Sequence, residues 1–285
     1  MIATAPEAGR IQPEPAAGRL PSVLRQAGVR GLVEIKLFFR QREAVVFTFA
    51  LPIILLLLFG EIFHGEIGHT GVTFRQYFIA GITASGLMSS TFVNLGVSLA
   101  ADRDDGTLTR LAGTPLSPVG YFAGKAILAF VVCLLEVAAL LVVGVGLLGL
   151  HLPSTSGRWL TLAWVLVLGA ATCSLLGLAV SSAVKATTRS AVAVMNLPYL
   201  VLSFISGVYF VFSNLPTGLQ RVAAIFPLKW ICQGLRSAFL PDSVQGIEPA
   251  HNWEHGRIAL VLAAWLVASL VLCIGTFRWQ GMDRR

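Results

Sequence analysis

ADRDDGTLTRLAGTPLSP, residues 101–118, is the stretch that decides how this chain is read. It carries three of the fourteen acidic residues, Asp102, Asp104 and Asp105, within four positions. Gly106, Gly113, Pro115 and Pro118 punctuate it. Apolar sequence lies on both sides. Residues 77–101 hold no charge before the island begins, and residues 119–150 hold only Lys125 and Glu136. Each run is long enough to cross the hydrocarbon core of a bilayer, which takes about 20 helical residues. A polar island between two such runs reads as a connection at a membrane surface.

Four further runs of that kind lie outward from it: 44–63, with Pro52 and Glu61; 159–184; 191–212, with Asn196 and Pro198; and 258–277. Composition agrees. Of 285 residues 55% are hydrophobic and 12% charged, with a mean hydropathy of +0.77, whereas a soluble domain carries about 25% charged residues. The expectation is an all-α integral membrane protein with six transmembrane helices. The six-span body covers 44–279, and residues 280–285 form a short cytoplasmic tail.

Residues 21–43 precede the first span and form an amphipathic helix. On a helical wheel Leu24, Ala27, Gly28, Gly31, Leu32, Ile35, Phe38 and Phe39 fall on one arc. Arg25, Gln26, Arg30, Glu34, Lys36, Arg40, Gln41 and Glu43 fall on the other. A basic amphipathic helix beside a span is expected to lie in the headgroup plane. Residues 1–20 are rich in Ala, Pro, Gly and Glu and lack the apolar core of a signal peptide. They read as a disordered cytoplasmic tail.

Lys and Arg crowd the cytoplasmic ends of spans. With the N-terminus inside, thirteen fall on the inner face and six on the outer, leaving aside Arg10 and Arg19. Both termini and the 101–118 island are therefore expected in the cytoplasm, and 213–256 outside. That outer connection holds two semi-apolar pieces, 215–226 and 228–240, too short to span and suited to re-entrant or interfacial helices. Trp230 and Trp253 fit an aromatic belt.

Several function classes are excluded. The net charge of +7 is the basic bias of membrane loops, and no basic patch with interleaved aromatics points to nucleic acid. No G-x-x-x-x-G-K-[ST] occurs. The nearest stretch, GYFAGKA from Gly120, has one residue too few between its glycines and lacks the Ser/Thr. Lys125 reads instead as a snorkelling lysine. No H-E-x-x-H and no G-x-S-x-G is present. His251 and His255 are four apart in a polar loop. The four cysteines are scattered and show neither zinc nor disulfide spacing. The chain is expected to bind no cofactor and to catalyse no reaction of its own.

Polar groups inside the spans are the remaining candidates. Glu136 sits near mid-depth in span three, where a carboxylate is expensive and a functional site is the default hypothesis. It could line a substrate path or, in a secondary transporter, carry a proton. Span two bears small and polar residues, among them Gly81, Ser85, Gly86, Ser89, Ser90, Asn94 and Gly96. They suit a packed seam or a wet path equally. Asn196 and Pro198 mark a local break in span five.

The series Asp102-Arg103-Asp104-Asp105-Gly106-Thr107-Leu108, then Leu111, then Thr114-Pro115-Leu116-Ser117, resembles the cytoplasmic signature of ABC-2 type permeases, the membrane subunits of type V ABC exporters. The family pattern is roughly E-[RK]-E-x-G-[ST]-[LM]-[ED]-x-L followed by T-P-[VL]-S. Here Asp stands for the usual Glu at 102 and 104, and Thr109 holds an often acidic position. FPLKWICQGLR, residues 226–236, is similar to the family's outer segment. The resemblance implies that 101–118 is a coupling helix seated in a groove of a separate ATPase. Asp102, Arg103, Asp104, Asp105, Gly106, Thr107, Leu108 and Leu111 would be its coupling residues. Locally, Thr107 would cap the helix, Leu108 and Leu111 would form its apolar face, and Pro115 and Pro118 would end it. The resemblance further implies two ABC ATPase subunits carrying ATP and Mg, a second permease subunit, and a cell-membrane location among lipids. The substrate would be an amphipathic drug or lipid, as in drug-resistance exporters, or alternatively a polysaccharide or glycolipid. Glu136, Ser85, Ser89, Asn94 and Asn196 are the candidate substrate path.

Overall fold

A computed structural model of the protein describes residues 22–63, 65–68, 70–184 and 187–276. The expected tails at 1–20 and 280–285 lie outside the described residues, as does Lys185. The described chain is helical, with a single isolated β-bridge between Glu66 and Thr73. In order it forms α1 (Val23–Arg40), α2 (Arg42–Ile62), α3 (Phe74–Met88), a π-helical turn (Ser89–Val93), α4 (Asn94–Asp104) and α5 (Thr107–Ala112). There follow α6 (Pro118–Leu148), α7 (Ser156–Val184), α8 (Thr188–Ile205), α9 (Thr217–Ala223), α10 (Pro227–Phe239) and α11 (His255–Thr276). With α3, the π turn and α4 running on as one, six helices are long and apolar enough to cross a membrane.

The second span, Phe74–Asp104, is the centre of the bundle. Its most apolar window is 89% buried, against 17% for α2. Its small residues are there because other backbones approach. A Cβ at Gly81 would collide with the carbonyl oxygen of Val208. In α7, a Cβ at Gly177 would collide with the carbonyl oxygen of Phe92 in the π turn. Close approach of this kind is how helices associate where apolar burial gives no drive. The π turn widens the helix locally, and hydroxyls serve the displaced carbonyls. Ser90 Oγ donates to Gly86 O and Leu87 O at 2.9 and 3.2 Å, and Thr91 Oγ1 to Leu87 O at 2.6 Å.

The fifth span is shorter than the apolar run suggests. It ends at Ile205, and the chain turns at Gly207, whose φ of +75° is a left-handed conformation that favours glycine. The run extended to 212 because 208–212 is apolar, yet those residues pack as a loop. Pro198 stays within α8, and Asn196 donates to Val192 O at 2.8 Å, one turn back. The helix runs on through Pro198, which supplies no N–H to its ladder, and ends just before the turn at Gly207.

At the end of the bundle formed by 213–254, both short pieces are helical, as α9 and α10. Every residue of α10 is buried, against α3, α7 and α11. Arg236 pins it. The guanidinium donates to Glu248 at 2.9 Å and to the carbonyl of Gly207, and it stacks 4.4 Å above the Tyr77 ring. Trp230 and Trp253 are buried, 1% and 5% exposed. Their indoles donate to Ala224 O at 2.8 Å and to Asp242 Oδ1 at 3.0 Å. They are packing residues of this cap, which corrects the expectation of an interfacial belt.

Candidate functional site

The 101–118 island folds as the end of α4, a left-handed turn at Gly106 (φ +69°), the six-residue α5 and a loop into α6. Gly106 is the N-cap of α5 and no side chain caps it, so the expected cap by Thr107 is absent. The helix ends at Gly113, before Pro115. Pro118 is the first residue of α6, where its missing N–H costs nothing. Ser117 Oγ caps α6 by accepting from Gly120 N at 3.1 Å.

The three acids separate into three roles. Asp102 turns inward. Its Oδ2 accepts from Tyr121 Oη at 2.6 Å and lies 2.8 Å from Lys125 Nζ. Lys125 also reaches Glu34 Oε1 at 3.1 Å and donates to Ser98 Oγ at 2.7 Å. Glu34 pairs in turn with Arg30, whose guanidinium is 3.9 Å from Asp102. Two acids and two bases thus neutralise one another where α1, α4 and α6 meet. Lys125 is 1% exposed, so it is a buried ion and not a snorkelling one. A charge so enclosed requires partners of this kind.

Asp104 reaches across to the next helix. Its Oδ2 accepts from the Thr188 backbone N–H at 2.6 Å and hydroxyl at 2.7 Å. It serves the unpaired N–H groups of the first turn of α8, where a negative charge also complements the helix dipole. Arg103 donates to Ser181 O in α7 at 3.2 Å. Asp105 is exposed, and its backbone oxygen accepts from Arg110 at 2.8 Å.

Leu108 and Leu111 face the chain itself. Leu108 is buried with Leu95, Leu99, Tyr121 and Leu178, and Leu111 packs against that cluster. The surface that α5 leaves open is its polar side: Asp105, Thr109, Arg110 and residues 112–115.

α1 is the frame behind this cluster. It lies along α6 through a face of small and polar residues, with Ala27, Gly31 and Glu34 buried. A Cβ at Gly31 would touch Ile127, and one at Gly124 would press on the Arg30 stem. The small members of its apolar arc, Ala27 and Gly31, dock here with Glu34, while the leucines of that arc face outward, Leu24 85% and Leu32 61% exposed. Gln26 clamps the α5–α6 loop by accepting from Ser117 N at 2.9 Å and donating to Pro115 O at 3.2 Å.

A second arrangement lies deeper in the bundle. Ser85, Ser89, Gly86 and Tyr199 line a crevice of about 40 Å³ together with Phe47 and Leu51 of α2. Ser85 Oγ and Tyr199 Oη are 2.8 Å apart. Glu136 lies directly behind Gly86, and a Cβ on that glycine would collide with the carboxylate. It is 3% exposed, and neither of its oxygens has a hydrogen-bond partner among the described residues. Asn94 and Asn196 are exposed and do not line the crevice. The structure therefore brings together Ser85, Ser89 and Glu136 and leaves the two asparagines apart.

The sequence offered no direct mark for Gln26, Arg30, Glu34, Ser98 or Thr188. One signal existed: a lysine in an apolar run needs a counter-ion, and Glu34 is the acid on the helix next to it.

Six helices long and apolar enough to cross a membrane make this a multi-pass membrane protein by its fold. The comparisons agree. The family model for the ABC-2 type transporter matches residues 31–240, so the chain belongs to the ABC-2 type transporter family. It is 27% identical over 238 residues to "Putative transport permease ycf38" of Porphyra purpurea, covering 77% of this chain and 79% of that one.

Proposed function

We propose that this permease is the membrane subunit of an ATP-driven exporter, and that α5 is the element through which a separate ABC ATPase moves it. The supporting observation is the mounting of α5. It is a short helix with an open polar side, rooted by Leu108 among the spans. The ion cluster at its base ties it to α1 and α6, and Asp104 ties it to α8. A push on such a helix is delivered to three spans at once. Two ATPase subunits, each carrying ATP and Mg, would dock from the cytoplasm against Asp105, Thr109, Arg110 and the following turn. Asp102, Asp104, Leu108 and Leu111 would act from behind, by holding that surface in place.

A second permease subunit, identical or homologous, completes the reading. Its support is the outward face of α8, where Leu197, Leu200 and Val201 are exposed beside Asn196. The substrate proposed is an amphipathic drug or lipid-like molecule, carried out of the cytoplasm or inner leaflet of the cell membrane. The aromatic and apolar lining of the span-two crevice favours that class over a polysaccharide.

The test is co-purification of the full chain with the ATPase encoded beside it, reconstitution, and measurement of ATP hydrolysis and transport. ATP-dependent efflux is expected. Transport that persists without ATP, or a chain with which no ATPase associates, would overturn the reading.

A further inference from the structure

We infer that Glu136 is the charge-recognition group of a binding site for an amphiphile with a small ammonium head. The site is entered from the apolar surface between α2 and α8 and closed at the back by Gly86. This deepens the substrate class proposed above and rests on that reading.

The first observation is the state of the carboxylate. Glu136 is 3% exposed and neither oxygen has a partner among the described residues. Buried acids elsewhere in this chain are served: Glu34 by Arg30 and Lys125, Glu248 by Arg236. Ser90 is the hydroxyl beside Glu136, and it donates to the carbonyls of Gly86 and Leu87 instead. No ion pair involving Glu136 is found among the described residues. An uncompensated buried carboxylate is costly, and a cation arriving beside it removes that cost.

The second observation is the wall it stands against. Gly86 is a lining residue of the crevice on one side and touches Glu136 on the other. A residue with any side chain would displace the carboxylate, so only a glycine backbone lies between acid and crevice. The π-helical turn begins three residues further on, at Ser89. Such turns loosen the regular hydrogen-bond ladder and recur at functional sites.

The third observation is the chemistry and size of the crevice. Tyr199 and Tyr209 contribute aromatic rings, and Ser85 and Ser89 contribute hydroxyls. Aromatic faces attract ammonium groups. A volume of about 40 Å³ excludes a drug-sized body, so no more of the ligand than its head would enter. The apolar remainder of the ligand would lie along Phe47 and Leu51, which are 74% and 56% exposed.

The experiment compares three probes of equal chain length on the full-length permease in lipid nanodiscs: dodecyltrimethylammonium, dodecanol and dodecyl sulfate, each below micelle formation. The wild type should bind the ammonium at least tenfold more tightly than the alcohol. Glu136→Gln should remove that preference while changing alcohol binding less than twofold. Gly86→Ala should weaken the ammonium selectively as well. Should the glutamine variant not insert, Glu136→Asp carries the test, with a several-fold selective loss expected. Unchanged ammonium binding in the variants, or an equal loss for all three probes, overturns the inference. Because binding is read without an ATPase, failure of the energy-coupling reading leaves this result interpretable, and the reverse also holds.

Discussion

Lys125 Nζ and Asp102 Oδ2 lie 2.8 Å apart, with the lysine 1% and the aspartate side chain 19% exposed. Together with Arg30 and Glu34 they make a neutral four-charge cluster. Removing one member leaves a buried charge uncompensated, which typically costs about 3–5 kcal/mol. Lys125→Met should therefore lower thermal stability sharply in detergent. Lys125→Met combined with Asp102→Asn restores neutrality and should recover a large part of the loss. A double variant no better than the single one would show that packing, and not charge balance, holds this junction.

Asp104 and Asp105 are adjacent, but the structure assigns them different work. Asp104→Ala removes an acceptor from the start of α8 and should cost about 1 kcal/mol, the usual worth of a helix-capping interaction. Asp105→Lys should leave the melting temperature unchanged and reduce transport-coupled ATP hydrolysis. If the two substitutions alter stability and coupling in the same proportion, the division of roles is wrong.

Glycines of the bundle should not tolerate alanine equally. At Gly81 and Gly177 a methyl would meet backbone carbonyls that cannot rotate away. Each substitution should destabilise by about 1–3 kcal/mol, as overpacking does. Gly146 in α6 has open space around it, and alanine there should be neutral or stabilising by up to about 1 kcal/mol. Unfolding of the three variants side by side makes the comparison.

The cap at the 213–254 end should show a pH dependence. Burial pulls the Lys229 ammonium down to about 8 from the ordinary 10.5. Its neighbours are the Trp230 ring at 3.7 Å and the side chain of Gln233. Between about 8 and 10.5 the unfolded chain binds the proton and the folded one does not, so stability rises with pH across that window. Below 8 both states are protonated, so the slope vanishes and the cost of burying the ammonium is at its full value. Lys229→Met should flatten the slope measured between pH 7.5 and 9.5.

Much of this architecture was legible in the residues. Six spans follow from hydropathy, because a bilayer sets the length of an apolar run. The two short helices at 217–223 and 227–239 follow from apolar pieces too short to cross. Direction was not legible. Leu108 and Leu111 mark an apolar face on α5, yet periodicity does not say whether that face meets a partner or the chain's own spans. Asp102 and Asp105 are the same residue type three positions apart, and only the arrival of Lys125 from another helix turns one of them inward. On α1 the docking face cuts across the two arcs of the wheel: Ala27 and Gly31 of the apolar arc dock with Glu34 of the polar one, while Leu24 and Leu32 face out. In a membrane protein the outside is the apolar solvent, so burial and hydropathy part company.

The two bonds from Asp104 to Thr188 yoke the ends of the second and fifth spans. Those two spans carry Ser85 and Tyr199, which meet across the crevice at 2.8 Å. A displacement applied at α5 would therefore reach both of these walls through their joined ends. The remaining wall is α2, which packs against α3 and α6 and buries only Pro52, Leu56 and Gly60. Of the walls around the crevice, α2 is the least embedded in the bundle, and the pair that Asp104 fastens together is the more firmly held side.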